Sequence, residues 1–523
     1  MSGNPEAVEY SKINALADVP RLRAQTTGDN VALSFEGVET TYRELDVYSN
    51  KVANGLIAEG VGPGDRIAVL DRNSDKFFQI WFGAVKANAV TVPVNARLAP
   101  PEVAFALNDA NVKVLFVGEV FLELVSKIRS ELKTVTKVIV IEGPLEDWRD
   151  THSAVDPLIP AEPTDVALQM YTSGTTGLPK GVELMNENFT LGMIASMGAW
   201  GNWTPKDKLL LAMPLFHIAG CGTAMVGLIA GVKVILVRDF VPSQILAMIE
   251  REKTTVSFMV PAMIQGLLAD PTIAKTDVSS MRRIVYGASP IPLKALQQAL
   301  QMFRTTGFIQ VYGLTETTGV ITVLSPEDHV TATEEKLKSC GRPLGDVQLR
   351  IVNAMGETLP PGQVGEIICR TRKTMKGYWN RPEANATTIR DGWLHTGDAG
   401  YVDDTGLLYI YDRMKDMVVS GGENVYPAEI ESVLYSHPAI ADIAVIGVPD
   451  EKWGEAVKAV IVPKPGHAPD AAEIIAYARE RLAGYKIPKS IDFVETLPRN
   501  PTGKVVKHEI RAPYWKGRDR QVN

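Results

Sequence analysis

Short apolar runs alternating with helix-length segments constrain this chain more than any other feature. "DRIAVL" (65–70) reads as a strand, "SDKFFQIWFGAVKANA" (74–89) as an apolar-faced helix, and "VTVPV" (90–94) and "VKVLFV" (112–117) as further strands. The rhythm returns in "KLLLAM" (208–213), "VKVILV" (232–237), "TVSFMV" (255–260), "RRIVYG" (282–287) and "GFIQVY" (307–312), each separated by a helix-length segment. Two doubly wound parallel sheets are predicted, with ligands at the carboxyl ends of their strands. From about Gly341 the texture changes to short strands broken by "NAMGE", "PPGQ" and "DDTG", a meander or barrel of antiparallel hairpins. After Arg413 it changes again: "PAEIESVLYSHP" and "AAEIIAYARERLA" read as helices, "IADIAVIGV" and "EAVKAVIVP" as strands. The fold class is thus α/β: a large N-terminal domain with two doubly wound sheets and a small β-barrel-like subdomain, then a small α+β C-terminal domain. A length of 523 residues suits roughly three units of ~150 residues.

Composition narrows the function classes. With 45% hydrophobic and 22% charged residues the chain reads as globular, and a net charge of −7 gives no broad basic footprint for nucleic acid. The start, "MSGNPEAVEY", carries no pattern of a secretory signal. The longest apolar stretch, Gly222 to Val237, is interrupted by Gly227, Gly231 and Lys233 and falls short of the ~20 residues of a spanning helix, so no transmembrane segment is expected. Cys221, Cys340 and Cys369 are few, odd in number and widely spaced, which suits reduced thiols in a cytoplasm.

"YTSGTTGLPKGV" (171–182) packs four small hydroxyl residues, three glycines and one lysine behind the strand-like "VALQMYT" (166–172). Glycine lets backbone N–H groups approach an anion, hydroxyls add donors and lysine a mobile charge, so a phosphate is one candidate ligand; a polar surface loop is the other. It is not a Walker A sequence, because Lys180 follows Pro179 where that motif needs glycine. Four further stretches follow in order: "YGLTETTG" (312–319), "GWLHTGDAGYVDDTG" (392–406), "YDRMKDMVVSGGENVYPAEIE" (411–431) and "LPRNPTGKVVK" (497–507). Together the five resemble the adenylate-forming superfamily of acyl-CoA synthetases, peptide-synthetase adenylation domains and beetle luciferases, over about Thr40 to Lys507.

The resemblance implies an activity and its residues. The family attacks the α-phosphate of ATP with a carboxylate, giving acyl-AMP and pyrophosphate, then displaces AMP with a nucleophile; charge stabilisation and positioning are the enzyme's main tasks. By this resemblance Thr172, Ser173, Gly174, Thr175, Thr176 and Lys180 hold the β- and γ-phosphates. Tyr312 stacks on adenine, with Gly287, Ala288 and Ser289 on its other side. Glu316 contacts Mg²⁺, a hard cation suited to oxygen ligands, and Thr315 donates toward the α-phosphate. Asp398 accepts from the ribose hydroxyls and Arg413 reaches ribose or phosphate. Lys504 bridges the substrate carboxylate and the α-phosphate. Taken singly, Tyr312 reads equally as a core tyrosine, Asp398 as a turn cap, and Glu316 and Lys504 as solvated charges. The domains implied are 1–412 for AMP binding, a hinge at 413–415 that includes Lys415, and a mobile C-terminal domain at 416–523.

The branch turns on "PLFHIAG" (214–220). Peptide-synthetase adenylation domains carry an aspartate after the phenylalanine to pair with an amino group; here His217 stands there, so an α-ammonium would lack its counter-charge. The resemblance makes His217 a gate between acyl pocket and pantetheine tunnel, a core histidine being the alternative. Coenzyme A is the expected second nucleophile, passing beside Gly421 and Gly422. Luciferase chemistry and a non-catalytic nucleotide-binding relative are the competing readings. The pocket is expected at Ile218, Gly220, Cys221, Gly222, Thr318, Gly319 and Val320, small or apolar residues that suit a medium- or long-chain fatty acid first and an aryl or phenylpropenoid acid second. The expected partners are a small carboxylic acid, ATP, Mg²⁺ and coenzyme A, with monomer or homodimer left open.

Overall fold

The computed structural model describes residues 10–172, 179–331, 333–413, 416–420, 423–499 and 504–516. Two large sheets dominate. One has seven strands, five of them parallel: Val166–Thr172, Val90–Pro93, Arg66–Leu70, Val112–Val117 and Lys137–Val140, in that spatial order. Antiparallel strands Lys180–Met185 and Gly377–Tyr378 extend it beyond Val166–Thr172. The other has nine strands, whose parallel centre runs through Gly307–Leu314, Arg283–Gly287, Val256–Met259, Lys208–Leu211, Lys233–Leu236 and Val31–Phe35. Most of their residues are buried on both faces, which is why they read as nearly continuous apolar runs in the sequence.

Helices cover the sheets. The expected helix at 74–89 spans Lys76–Lys86 and is buried around its whole circumference. Even Lys86 is inside, 2.6 Å from Asp46 and 2.6 Å from Asn50, because a buried ammonium needs a counter-charge and acceptors. Helix Tyr42–Ala58 packs on it and starts at a capping box between Thr41 and Glu44. Phe78, Trp81, Phe189, Leu209, Val234 and Val285 belong to one apolar cluster, so the two large sheets share a core.

A five-stranded antiparallel sheet follows, built from Gln348–Val352, Gly365–Arg370, Ile389–Arg390, Trp393–Val402 and Leu408–Arg413. The smaller C-terminal domain pairs Ile440–Asp450 with Gly454–Pro463 over ten registered positions. Helices Pro427–Leu434 and Ala471–Arg479 pack there around a core of its own that includes Val418, Ile430, Ile443, Val457 and Ile474. No helix among the described residues is long and apolar enough to cross a membrane.

Candidate active site

Strands Arg283–Gly287 and Gly307–Leu314 run side by side, Gly287 opposite Val311, and carry two of the sequence motifs to one edge. A Cβ at Gly287 would stand 2.2 Å from the Val311 carbonyl oxygen, so only glycine allows this approach. Ala288 follows with φ +65°, a strained value for a residue with a Cβ, and Ser289 comes next. Beyond Tyr312 the chain makes a single turn over Thr315–Thr317. The Leu314 N–H donates to Thr317 Oγ1 (2.9 Å), Thr317 Oγ1 donates to the Gly319 carbonyl (2.8 Å), and Thr318, at φ +52°, donates to the Lys373 carbonyl (2.8 Å). Thr315 and Glu316 are held on this turn.

Tyr312 donates its hydroxyl proton to Asp398 Oδ2 at 2.7 Å, joining two candidate residues 86 positions apart. Asp398 is 4% exposed and lies opposite Arg413 in the register of the antiparallel sheet. Thr172 and Lys180 face each other likewise at the base of the glycine-rich loop. Ser173, Gly174, Thr175, Thr176, Lys415, Gly421 and Gly422 lie outside the described residues.

Tyr378 is a neighbour that sequence reasoning missed. Its hydroxyl donates to Glu316 Oε1 at 2.9 Å, its ring lies 4.9 Å from the Lys180 ammonium, and the Met375 N–H donates to the Glu316 carbonyl at 2.8 Å. The only sequence signal is "MKGYW" (375–379), whose Gly377–Tyr378 strand pairs with the one that begins at Lys180. Tyr171 is fixed in the strand that precedes the glycine-rich stretch: its hydroxyl donates to Asp109 (2.8 Å), which also pairs with Arg381 (2.7 Å), and burial with that carboxylate pushes the phenol pKa up.

A cavity of about 80 Å³ adjoins Tyr312. Of the expected pocket residues Ile218, Gly222, Gly319 and Val320 line it, with Ala288 and Tyr312. Gly220, Cys221 and Thr318 are placed elsewhere. A Cβ at Gly220 would lie 2.0 Å from the Pro214 carbonyl oxygen, so this glycine serves backbone packing. Cys221 is fully buried in the core, where desolvation pushes its thiol up to about 12, and Thr318 is fully buried with its hydroxyl on the Lys373 carbonyl. Lys373 was also missed. Its ammonium donates to the Val320 carbonyl (2.8 Å) behind the cavity wall, and burial lowers its pKa to about 8.

His217 precedes helix Ile218–Ala230, its ring centroid 4.8 Å from that of Phe216 and its Nε2 buried without a hydrogen-bond partner. Burial, with the nearby charge of Arg97, lowers its pKa to about 4, so the ring is neutral at neutral pH. In the small domain Lys504 adjoins a bridge between Arg499 and Val505. Three residues on, Lys507 reaches Glu431 (2.9 Å) and Asp412 (3.8 Å), which ties this segment to helix Pro427–Leu434 and to the last strand of the antiparallel sheet.

No group of three or more described His, Cys, Asp or Glu residues is placed to hold a metal. A Mg²⁺ carried by nucleotide phosphates would ask the protein for only one or two carboxylates, and Glu316, oriented by Tyr378, would be a fitting one.

Residues 21–379 match the AMP-binding enzyme family, and residues 429–504 match the AMP-binding enzyme C-terminal domain. The chain belongs to the AMP-binding enzymes. It is 37% identical over 526 residues to the fatty acid–[acyl-carrier-protein] ligase ScoC of Streptomyces coeruleorubidus, covering 99% of this chain and 100% of that one. With a feruloyl-CoA synthase of an Amycolatopsis species the identity is 40% over 500 residues, 95% of this chain and 99% of that one. The solved Mycobacterium tuberculosis fatty acyl CoA synthetase is 35% identical, with a TM-score of 0.78 over 96% of this chain and 99% of its own. This AMP-binding enzyme is therefore a ligase of the acyl-CoA synthetase branch of the adenylate-forming superfamily.

Proposed function

We propose that the protein activates a hydrophobic monocarboxylic acid with ATP and passes the acyl group to the thiol of coenzyme A. The observation that carries this reading is the double position of Tyr312, which hydrogen-bonds the nearly buried Asp398 and also lines the apolar cavity. A nucleotide site and an acyl site thus share one side chain, as a reaction joining a carboxylate to an α-phosphate requires.

The residues take these roles. Asp398 accepts from ribose hydroxyls and Arg413, its cross-strand partner, reaches ribose or phosphate. Tyr312 lies against adenine with Gly287, Ala288 and Ser289 opposite. Thr172, Ser173, Gly174, Thr175, Thr176 and Lys180 hold the β- and γ-phosphates, and Thr315 donates to the α-phosphate. Glu316 holds Mg²⁺, which when bound neutralises phosphate charge. The acid's carboxylate oxygen attacks the α-phosphorus and the bond to pyrophosphate breaks, with Lys504 bridging the two anions. Rotation about the hinge at 413–415 then brings Gly421 and Gly422 to the pantetheine arm. Sulfur attacks the acyl carbon, the bond to AMP breaks, and the thiol proton leaves; His217, neutral, gates the passage between the two sites.

Fatty acids and aryl acids both fall within this reading, and relatives are named for each kind of acid. The three free, buried cysteines accord with a cytoplasmic protein. Pyrophosphate release measured with a panel of carboxylic acids, followed by thioester formation with coenzyme A, tests the proposal. No release with any acid would refute it, and release with transfer only to a carrier-protein phosphopantetheine would move the acceptor to the kind named for ScoC.

A further inference from the structure

The cavity that takes the acid is not uniformly apolar. Helices Asn186–Ala199 and Ile218–Ala230 pack together, and each places one hydroxyl residue on the lining, Ser196 and Thr223, which are 2% and 3% exposed. Trp200, just past the first helix, lines the same space beside Phe258, their ring centroids 6.5 Å apart, and its Nε1 is buried without a hydrogen-bond partner. A plain alkyl tail offers these groups nothing to bond. An oxygen on the tail accepts from an indole N–H or a hydroxyl, and a phenolic oxygen also donates to one.

Shape points the same way. The lining residues Ile218 and Val226 are eight positions apart on one helix, which sets about 12 Å of wall. Trp200, Val226 and Phe258 belong to the main core cluster, so the inner end of the cavity lies against packed protein. The space suits a ring on a short linker, with Trp200 and Phe258 providing flat walls at the far end.

Resting on the activity proposed above, we infer that the preferred acid is an aromatic one whose ring carries a hydroxyl or alkoxy oxygen remote from the carboxylate, recognised by Ser196, Thr223 and the Trp200 indole. These three are specificity-determining residues. The oxygen accepts from the Trp200 Nε1–H, which otherwise stays buried and unpartnered, so an analogue lacking only that oxygen is penalised.

The test compares kcat/KM in pyrophosphate release for 4-hydroxycinnamate, cinnamate and octanoate. The oxygenated acid should lead cinnamate by on the order of tenfold or more. Ser196→Ala combined with Thr223→Val should bring that ratio toward one, and Trp200→Phe should lower it. Because the readout is a ratio of two acids on the same protein, a smaller folded fraction cancels. A ratio near one in the parent, a preference for octanoate, or a ratio unchanged in the variants would overturn the inference while leaving the activity standing. Absence of release with all three acids and with longer fatty acids would overturn both.

Discussion

Tyr378→Phe isolates one hydroxyl. It removes the 2.9 Å hydrogen bond to Glu316 and keeps the ring 4.9 Å from Lys180, so among the contacts of the described residues it is the Glu316 carboxylate that loses a partner. A hydrogen bond to a charged group is worth about 1.5–3 kcal/mol, and the partial exposure of Glu316 argues for the lower end. At ~1.4 kcal/mol per factor of ten, the Mg²⁺ concentration for half-maximal adenylation should rise about tenfold. The assay is pyrophosphate release against Mg²⁺ at saturating ATP and acid, with thermal melting as the control. A double-mutant cycle sharpens it: if Tyr378 acts through Glu316, adding Tyr378→Phe to Glu316→Gln should cost nothing further. An unchanged Mg²⁺ requirement, or fully additive losses in the cycle, would refute the reasoning.

Lys504→Ala should lower adenylation by ~10²-fold or more, the scale of losing a preorganised charge, while preformed acyl-AMP still yields acyl-CoA near the parental rate; the two half-reactions are measured separately. His217, lowered to about 4 from an ordinary 6.5, opposes its own protonation in the fold, so its contribution is full above 6.5 and lost as pH falls toward 4. Across that window the parent should lose about 2 kcal/mol more unfolding free energy than His217→Phe, a figure discounted for partial exposure and read by denaturant titration at each pH. Lys373→Met takes the donor from the Val320 carbonyl, so unfolding free energy should fall by about 1–3 kcal/mol and the KM for the acid should rise more than that for ATP.

Much of the scaffold was legible because strands buried on both faces read as nearly continuous apolar runs. Val166–Thr172 and Val112–Val117 run as their sequences read, and helix Lys76–Lys86 is shorter than its apolar stretch only because the flanking residues turn into the loops. Side-chain partnerships were not legible. The Tyr312–Asp398 bond joins strands of two different sheets, the Tyr378–Glu316 bond joins a strand of the third to the turn that follows Leu314, and no local pattern encodes such meetings. The pocket shows a third kind of gap. Proximity in sequence grouped Ile218, Gly220, Cys221 and Gly222, but a helix turns about 100° per residue and divides such a run between faces. Ile218, Ala219, Gly222, Thr223 and Val226 follow that period and line the cavity, whereas Gly220 and Cys221 point away into packed protein. Followed along the sequence, the same period carries the pocket face on to Thr223, one of the two hydroxyls that distinguish this cavity from a purely apolar one.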